Sequence, residues 1–493
     1  MNTTAKVYIG LALFCLVILF IISPDSYTHD SYNRVDSAWF FMCGKAWMNG
    51  MIPYIDFADS KGPLLWFIYG IGYLLSPLNY HGVFWISVLW YSIIYIVTFK
   101  TALLFLPSSR KALICTLIMT LSFFNPWFHQ EIRAEDFCLL FLVTSLYIVC
   151  KTIYKNDGHQ NLNTSFFILG SCFAILLLIK FNIAAMQAIY VLYLYYYNCR
   201  TKHSPYLPLF WGCVGIAAIA IPFLVYFLIS GNFSAFIQEY FLNTLQTTTS
   251  GSAFHEYLSE WLTVINTPSQ LTLLAVIVIG SLYMRCLLNH DKYFPLISSI
   301  FVFSLTIRHA LWPYYFNSCS YLAIWLICYM LYKTEIVYNT RIIIIIAFAI
   351  LLFSSVSNLF NKSYFRPVFF RHYPEKEIFY EVSKVMSQVK NPTLINACCW
   401  EYGYGIMAHS LPGGKYWTLQ NGATEDMIQQ HRQEILSGKS NFLFVYSPEF
   451  LKLANLNMQS LLAAGYRICN EWGNSDDKHY LLTNLKINHI NDP

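Results

Sequence analysis

Charge is what this sequence has least of. Asp, Glu, Lys and Arg make up 12% of its 493 residues, about half of the ~25% usual in soluble domains. With 56% hydrophobic residues and a mean hydropathy of +0.46, an ordinary soluble globule is excluded and a multi-pass membrane protein is indicated. Several signatures are missing as well. There is no G-x-x-x-x-G-K-[ST] or G-x-G-x-x-G loop, no H-E-x-x-H and no G-x-S-x-G, which argues against an ATP-driven pump or a soluble-type hydrolase. No A-x-A cleavage site follows the first apolar run, only Ser23-Pro24-Asp25, so that run reads as a retained span. Cysteine is present, at 14 residues, but no pair has zinc spacing. Most thiols (Cys15, Cys115, Cys138, Cys172, Cys213, Cys328) lie in apolar runs, where a thiol is a small hydrophobe. Outside them, one bridge from Cys398 or Cys399 to Cys469 is an open pairing.

The net charge of +5 does not point to nucleic acid, because the basic residues sit in short segments between apolar runs, where they act as topology signals. Runs at 7–22, 83–106, 112–126, 136–150, 165–179, 182–197, 207–229, 269–288, 293–307, 313–332 and 342–358 predict about 11 spans. A further run at 63–78 decides the topology. If it lies in the interface, Arg110/Lys111, Lys151/Lys155, Arg200/Lys202, Arg285/Lys292 and Lys333/Arg341 all face the cytoplasm, as the positive-inside rule requires; if it crosses, all face outward. The run therefore reads as a juxtamembrane helix in the first outer loop, with the N-terminus cytoplasmic and the C-terminal segment outside.

That topology collects the ionisable groups near membrane depth on one face: Asp36, Lys61, Arg133, Glu135, Asp136, Lys180, Arg308 and His309 all fall at outer ends of spans. Such groups are expensive in a membrane and are functional candidates by default. The loop at 230–268 is too long for a connector and reads as a lid or acceptor-binding element. Residues 1–358 form the predicted transmembrane domain and 359–493 a small extracytoplasmic α/β domain. In the latter, Ile378, Val382, Val385, Met386 and Val389 repeat at helical spacing. TLINAC, NFLFVYS and HYLLTN read as strands, and PEFLKLANLNMQSLLAAG as a helix between two of them.

Two outer-face acids, Asp36 and Glu135, stand among cations. A carboxylate can take a proton from an attacking hydroxyl, and cations can hold a phosphate as it departs. Base plus phosphate clamp suggests transfer from a phosphate-linked donor, which at an outer face is lipid-linked.

The stretch NRVDSAWF (Asp36), then G-x-x-P-Y-x-D (Gly50, Pro53, Tyr54, Asp56), D-S-K-G-P (Asp59, Lys61, Pro63) and IRAEDFCLLFLV in the second outer loop resembles the GT-C class of polyprenyl-phosphate-sugar glycosyltransferases. That superfamily includes the protein O-mannosyltransferases and the lipid A aminoarabinose transferase. The resemblance covers roughly residues 7–358 and implies a GT-C-like polytopic fold. It matches Asp36 to the catalytic acid, Lys61 to the lysine on the donor phosphate and Glu135 to the second-loop acid. With them, Arg308 and Arg133 are candidate phosphate contacts, and Asp56, Asp59, Asp136, His309, Tyr314, Tyr315 and Lys180 candidate substrate contacts. Asp36 is followed by Ser37 where relatives often have a second acid, and the later histidine-tyrosine motif is here WPYYFNS; no cofactor is assigned, and a divalent metal stays open without support from the sequence.

Each residue also has a structural reading. Asp36 can cap a helix, Lys61 can snorkel to headgroups, Arg133 and Glu135 can pair locally, Arg308 and His309 can anchor at the interface, Lys180 can be structural, and Asp56 and Asp59 can shape turns. The function expected is inverting transfer of a sugar from a polyprenyl-phosphate donor, in a bacterial plasma (inner) membrane surrounded by membrane lipids, to an extracytoplasmic glycolipid, polysaccharide or protein acceptor. The alternatives are a flippase for lipid-linked saccharides and an O-antigen-ligase-like transferase.

Overall fold

The computed structural model describes residues 3–28, 35–106, 108–118, 131–154, 162–200, 205–245, 375–419, 423–474 and 477–485. The chain is mostly helical, with a small sheet near its C-terminal end. Its helices are α1 (Thr3–Ile22), α2 (Asp36–Met48), α3 (Pro63–Leu75), α4 (His81–Phe105), α5 (Ser109–Ile118), α6 (Ala134–Tyr154), α7 (Leu162–Ile179), α8 (Phe181–Arg200) and α9 (Tyr206–Ile229), then the single turn α10 (Phe233–Phe236). Among the described residues five helices, namely α1, α4, α6, α7 and α9, are long and apolar enough to cross a membrane. The expected runs from 269 to 358 lie outside the described residues.

The described chain forms two compact units. The first comprises residues 3–24 and 87–223, the second 25–86, 224–245 and 375–485. In the first, α6, α7 and α8 pack on one another, and the chain turns between α7 and α8 at Lys180. Gln187 of α8 ties the three together, its amide donating to Ser145 Oγ of α6 and to the Leu169 carbonyl of α7, each at 3.1 Å. A buried amide without such partners would cost about 1–3 kcal/mol.

The second unit is built on the pair α2 and α3. α3 starts with Pro63 at its first position, where the missing N–H costs nothing. Its 13 residues rise roughly 20 Å, short of the ~30 Å hydrocarbon core. Gly44 and Gly70 let the two helices touch backbone to backbone: a Cβ on Gly44 would stand 2.4 Å from the Gly70 nitrogen. Gly82, at the start of α4, approaches α3 in the same way, with a Cβ position 2.0 Å from the Gly72 oxygen.

The sheet has the order β2 (Leu411–Pro412), β1 (Thr393–Asn396), β3 (Phe442–Val445), β5 (Asp477–Thr483), β4 (Arg467–Asn474). β2, β1 and β3 are parallel, while β5 is antiparallel to β3 and β4. Helix α11 (Glu375–Met386) lays Phe379, Val382, Val385 and Met386 over Leu394, Phe442, Phe444 and Leu481. The three strands read from the sequence are present, and so is the helical spacing from Ile378 to Met386; Val389 lies beyond the end of the helix, packed against the same core. One expected element divides. The stretch read as a single helix after Pro448 is a 3-10 turn (Phe450–Ala454) followed by a short α-helix (Met458–Ala463). Asn455 takes the left-handed conformation at φ 51°, and Asn457 restarts the helix through a capping box with Ser460. The open cysteine pairing is not made: Cys398, Cys399 and Cys469 are free thiols. β1 and β4 are separated by β3 and β5, three strand spacings or ~14 Å, beyond the ~7 Å Cα limit for a bridge.

Candidate functional site

In the second unit the site is a loop folded against α2. Asp36 is the first helical residue of α2 rather than its cap, which is Val35; the N-terminal turn of a helix stabilises a negative charge. Lys61 reaches back to the same helix, its ammonium 5.7 Å from the centre of the Phe40 ring. Phe40 lies four residues, one turn, beyond Asp36, so the two occupy one face of α2. Lys61 Nζ also donates to Ser60 Oγ at 3.1 Å and stands 4.0 Å from Asp59 Oδ1.

The loop that delivers Lys61 is held by its own backbone. Asp56 Oδ2 accepts from the Ile52 N–H at 2.6 Å, and Asp59 Oδ1 accepts from the Ser60 N–H at 2.6 Å. Tyr54 takes a positive φ of 66° and is buried between Trp66, Phe227 and Phe236, with its hydroxyl donating to the Lys61 carbonyl at 3.1 Å. Asp56 thus makes a turn, while Asp59 makes a turn and faces the lysine.

Other segments of this unit brace the loop. The Asn232 amide donates to the Pro53 carbonyl at 2.8 Å, and the Ala58 N–H to the Lys415 carbonyl at 3.0 Å. α10 continues into a π-helix, Ile237–Asn243, a form frequent at functional sites. It presents Glu239 to Lys415 Nζ at 2.5 Å and to the Tyr416 hydroxyl at 2.9 Å. Burial, with the Glu239 charge beside it, pushes the Tyr416 hydroxyl well up from its ordinary value. The sequence reading assigns the 230–268 loop to the outer face but does not single out Glu239, Lys415 or Tyr416. The signal available was one acid, Glu239, in an aromatic stretch.

In the first unit the second-loop residues form a buried network at the start of α6. The Glu135 carboxylate accepts from Lys180 Nζ. Asp136 Oδ1 accepts from the Tyr91 hydroxyl at 2.7 Å, and Oδ2 from the Arg133 N–H at 2.7 Å. The Arg133 guanidinium turns to Glu131, Nη2 to Oε1 at 2.8 Å. In place of the local Arg133–Glu135 pair, the alternative reading, stand two others, Arg133 with Glu131 and Lys180 with Glu135, α6 beginning at Ala134. Arg308, His309, Tyr314 and Tyr315 lie outside the described residues. Among the described residues no three His, Cys, Asp or Glu side chains converge as a metal site.

No protein-family model and no curated protein matches this chain. Solved structures do. The crystal structure of ArnT from Cupriavidus metallidurans bound to undecaprenyl phosphate aligns over 100% of both chains, at 11% identity and a TM-score of 0.61. Archaeal oligosaccharyltransferase AglB from Archaeoglobus fulgidus, in complex with an inhibitory peptide and a dolichol-phosphate, aligns over 97% of this chain and 74% of its own, at 9% identity and a TM-score of 0.51. The likeness is one of fold: the chain is a helical, multi-pass membrane protein of GT-C-like architecture.

Proposed function

We propose that this protein is an inverting glycosyltransferase that takes a sugar from a polyprenyl-phosphate donor at the outer face of a bacterial plasma membrane. The observation that carries the reading is Lys61 held over Phe40, one helical turn from Asp36 on α2. A base and a cation brought to the same helix suit a reaction in which a proton leaves one oxygen and negative charge grows on another.

Asp36 removes the proton of an acceptor hydroxyl. The acceptor oxygen bonds to the anomeric carbon as the bond from that carbon to the phosphate oxygen breaks, and the electron pair leaves with the lipid phosphate. Lys61 neutralises that charge. Its place beside Asp59 keeps the ammonium oriented before the donor arrives, which lowers the reorganisation needed during the reaction. Glu135, held by Lys180, is the reading's second acid, for orienting the sugar or the acceptor, and Arg133 and Arg308 are its further candidate phosphate contacts. The likeness in fold to ArnT, whose structure holds undecaprenyl phosphate, supports a donor of that class. Hexosyl or pentosyl transfer to a glycolipid, polysaccharide or protein of the envelope completes the reading, with the C-terminal α/β part outside the membrane.

The test is transfer by purified protein from a panel of polyprenyl-phosphate sugars. Asp36→Asn is expected to lose at least 100-fold in rate, the usual lower bound for a general base, with donor affinity kept. Lys61→Met is expected to weaken donor affinity and rate together. Full transfer by Asp36→Asn removes it from the base role, and transport of the donor without transfer rejects the enzyme reading.

A further inference from the structure

At the far end of α2 from Asp36 lies a second feature that the transfer reaction does not use. Lys45 sits nine positions along, ~13 Å by helix rise, and is only 1% exposed. Among the described residues its ammonium donates to the carbonyls of Gly405 at 3.2 Å and Ile406 at 3.4 Å. An ammonium has three hydrogens, so these two bonds leave one. On the other side of the same backbone turn the buried Glu401 carboxylate accepts from the Gly403 N–H at 2.6 Å and from the Asn396 amide at 2.5 Å.

Lys45 also lines a cavity of about 270 Å³, whose walls include Asn49, Tyr73, Asn391, His409 and Leu411. At ~30 Å³ per water this holds roughly nine waters, and it sits just below the ~300 Å³ at which small-molecule sites begin. A bare ion would leave most of it empty. No carboxylate lines it. Its titratable wall residues are Lys45, Tyr73 and His409, and burial together with the Lys45 charge holds the His409 ring below its ordinary range. The Tyr73 hydroxyl accepts from the Asn49 amide at 3.2 Å, which leaves its own hydrogen to donate. Pro392, Ala408 and Leu411 supply an apolar wall. Two non-glycine wall residues, Asn391 at φ 50° and His409 at φ 52°, hold the left-handed backbone that clusters at ligand sites.

We propose that this cavity binds an organic anion of about monosaccharide size, with its carboxylate or phosphate on Lys45 and its body against Tyr73 and the apolar wall. Burial lowers the Lys45 pKa to about 7, with the Glu401 charge opposing that fall, so an anion in this donor-lined, acid-free cavity is recognised by holding the ammonium charged, and the size of the space selects a molecule over an ion. The site is separate from Asp36 and its occupancy does not depend on the transfer reaction.

The experiment is titration calorimetry of the purified full-length protein with glucuronate, glucose 6-phosphate, glucose and inorganic phosphate. Saturable binding of either sugar anion is expected, the stronger one identifying the acid group, with glucose and inorganic phosphate at least tenfold weaker. Lys45→Met is expected to lower affinity roughly ten- to a hundredfold, the worth of a charge-assisted hydrogen bond. Tyr73→Phe removes only a hydroxyl and is expected to cost severalfold. Glucose binding as well as the anions do, no saturable binding of any probe, or unchanged affinity in folded Lys45→Met overturns the proposal. Should Lys45→Met not fold, unchanged affinity in Tyr73→Phe overturns it instead.

Discussion

His431 shows how a single buried side chain sets a pH dependence. Its Nε2 accepts from the Cys398 N–H at 2.9 Å and its Nδ1 faces the Tyr416 carbonyl, so the ring is neutral with the hydrogen on Nδ1. Burial pulls its pKa from 6.5 to about 4. Between those values the unfolded chain binds a proton that the folded chain refuses, so stability is complete above pH 6.5 and is lost as pH falls toward 4, by about 3 kcal/mol. Urea unfolding followed by tryptophan fluorescence at pH 7 and pH 4.5 should show that loss, and His431→Gln should reduce it. An unchanged difference would assign the acid sensitivity elsewhere. Glu135 and Lys180 make a second residue-scale case. Removing either charge strands the other in a buried place, at a cost on the order of 3–5 kcal/mol, whereas replacing both with apolar side chains costs far less. Thermal midpoints in detergent for Glu135→Leu, Lys180→Met and the double variant should show the double variant above both singles; additive losses would mean that the pair is not coupled.

At the scale of elements, α2 depends on how closely α3 approaches it. Gly44→Ala would put a methyl group 2.4 Å from the Gly70 nitrogen and 2.6 Å from the Trp66 oxygen, and those are backbone atoms that cannot step aside. The helices must separate, at about 1–3 kcal/mol of overpacking. The separation also moves Phe40 relative to the Lys61 loop, so transfer should fall together with the thermal midpoint. Gly50→Ala is the control: it has open space around it and its cost is confined to a positive φ of 88°, so it should disturb stability without opening the helix pair. Equal effects of the two on transfer would remove the helix contact as the cause.

For the whole molecule, the governing quantity is which face of the membrane collects the ionisable groups. With the surface thiols Cys199 and Cys213 replaced by serine, Arg110→Cys should react with an impermeant maleimide only after the cells are opened. Lys478→Cys should react in intact cells. The reverse pattern would put the chemistry on the cytoplasmic face and reject a donor taken from the outer leaflet.

Much of the fold was legible along the chain. Apolar runs place α1, α4, α6, α7 and α9 within a few residues, because the need to bury about 20 apolar residues per span is a local property. The period of Val382, Val385 and Met386 and the short apolar runs of β3 and β5 give the α/β part for the same reason. The loop from Gly50 to Pro63 announces a tight, polar turn, and its Lys61 does fold back onto α2, over Phe40. Partnerships were not legible. Lys180 lies 45 residues from Glu135, and Lys45 is 360 from Gly405; no spacing rule reaches so far. Whether Lys45 is an exposed end-of-helix cation or a buried one on a cavity wall depends on which surface α2 meets. The tertiary structure decided that, along with the free thiols and the grip of Glu239 on Lys415, because burial and pairing follow from packing between distant segments. Composition and periodicity determine only which segments exist to be packed.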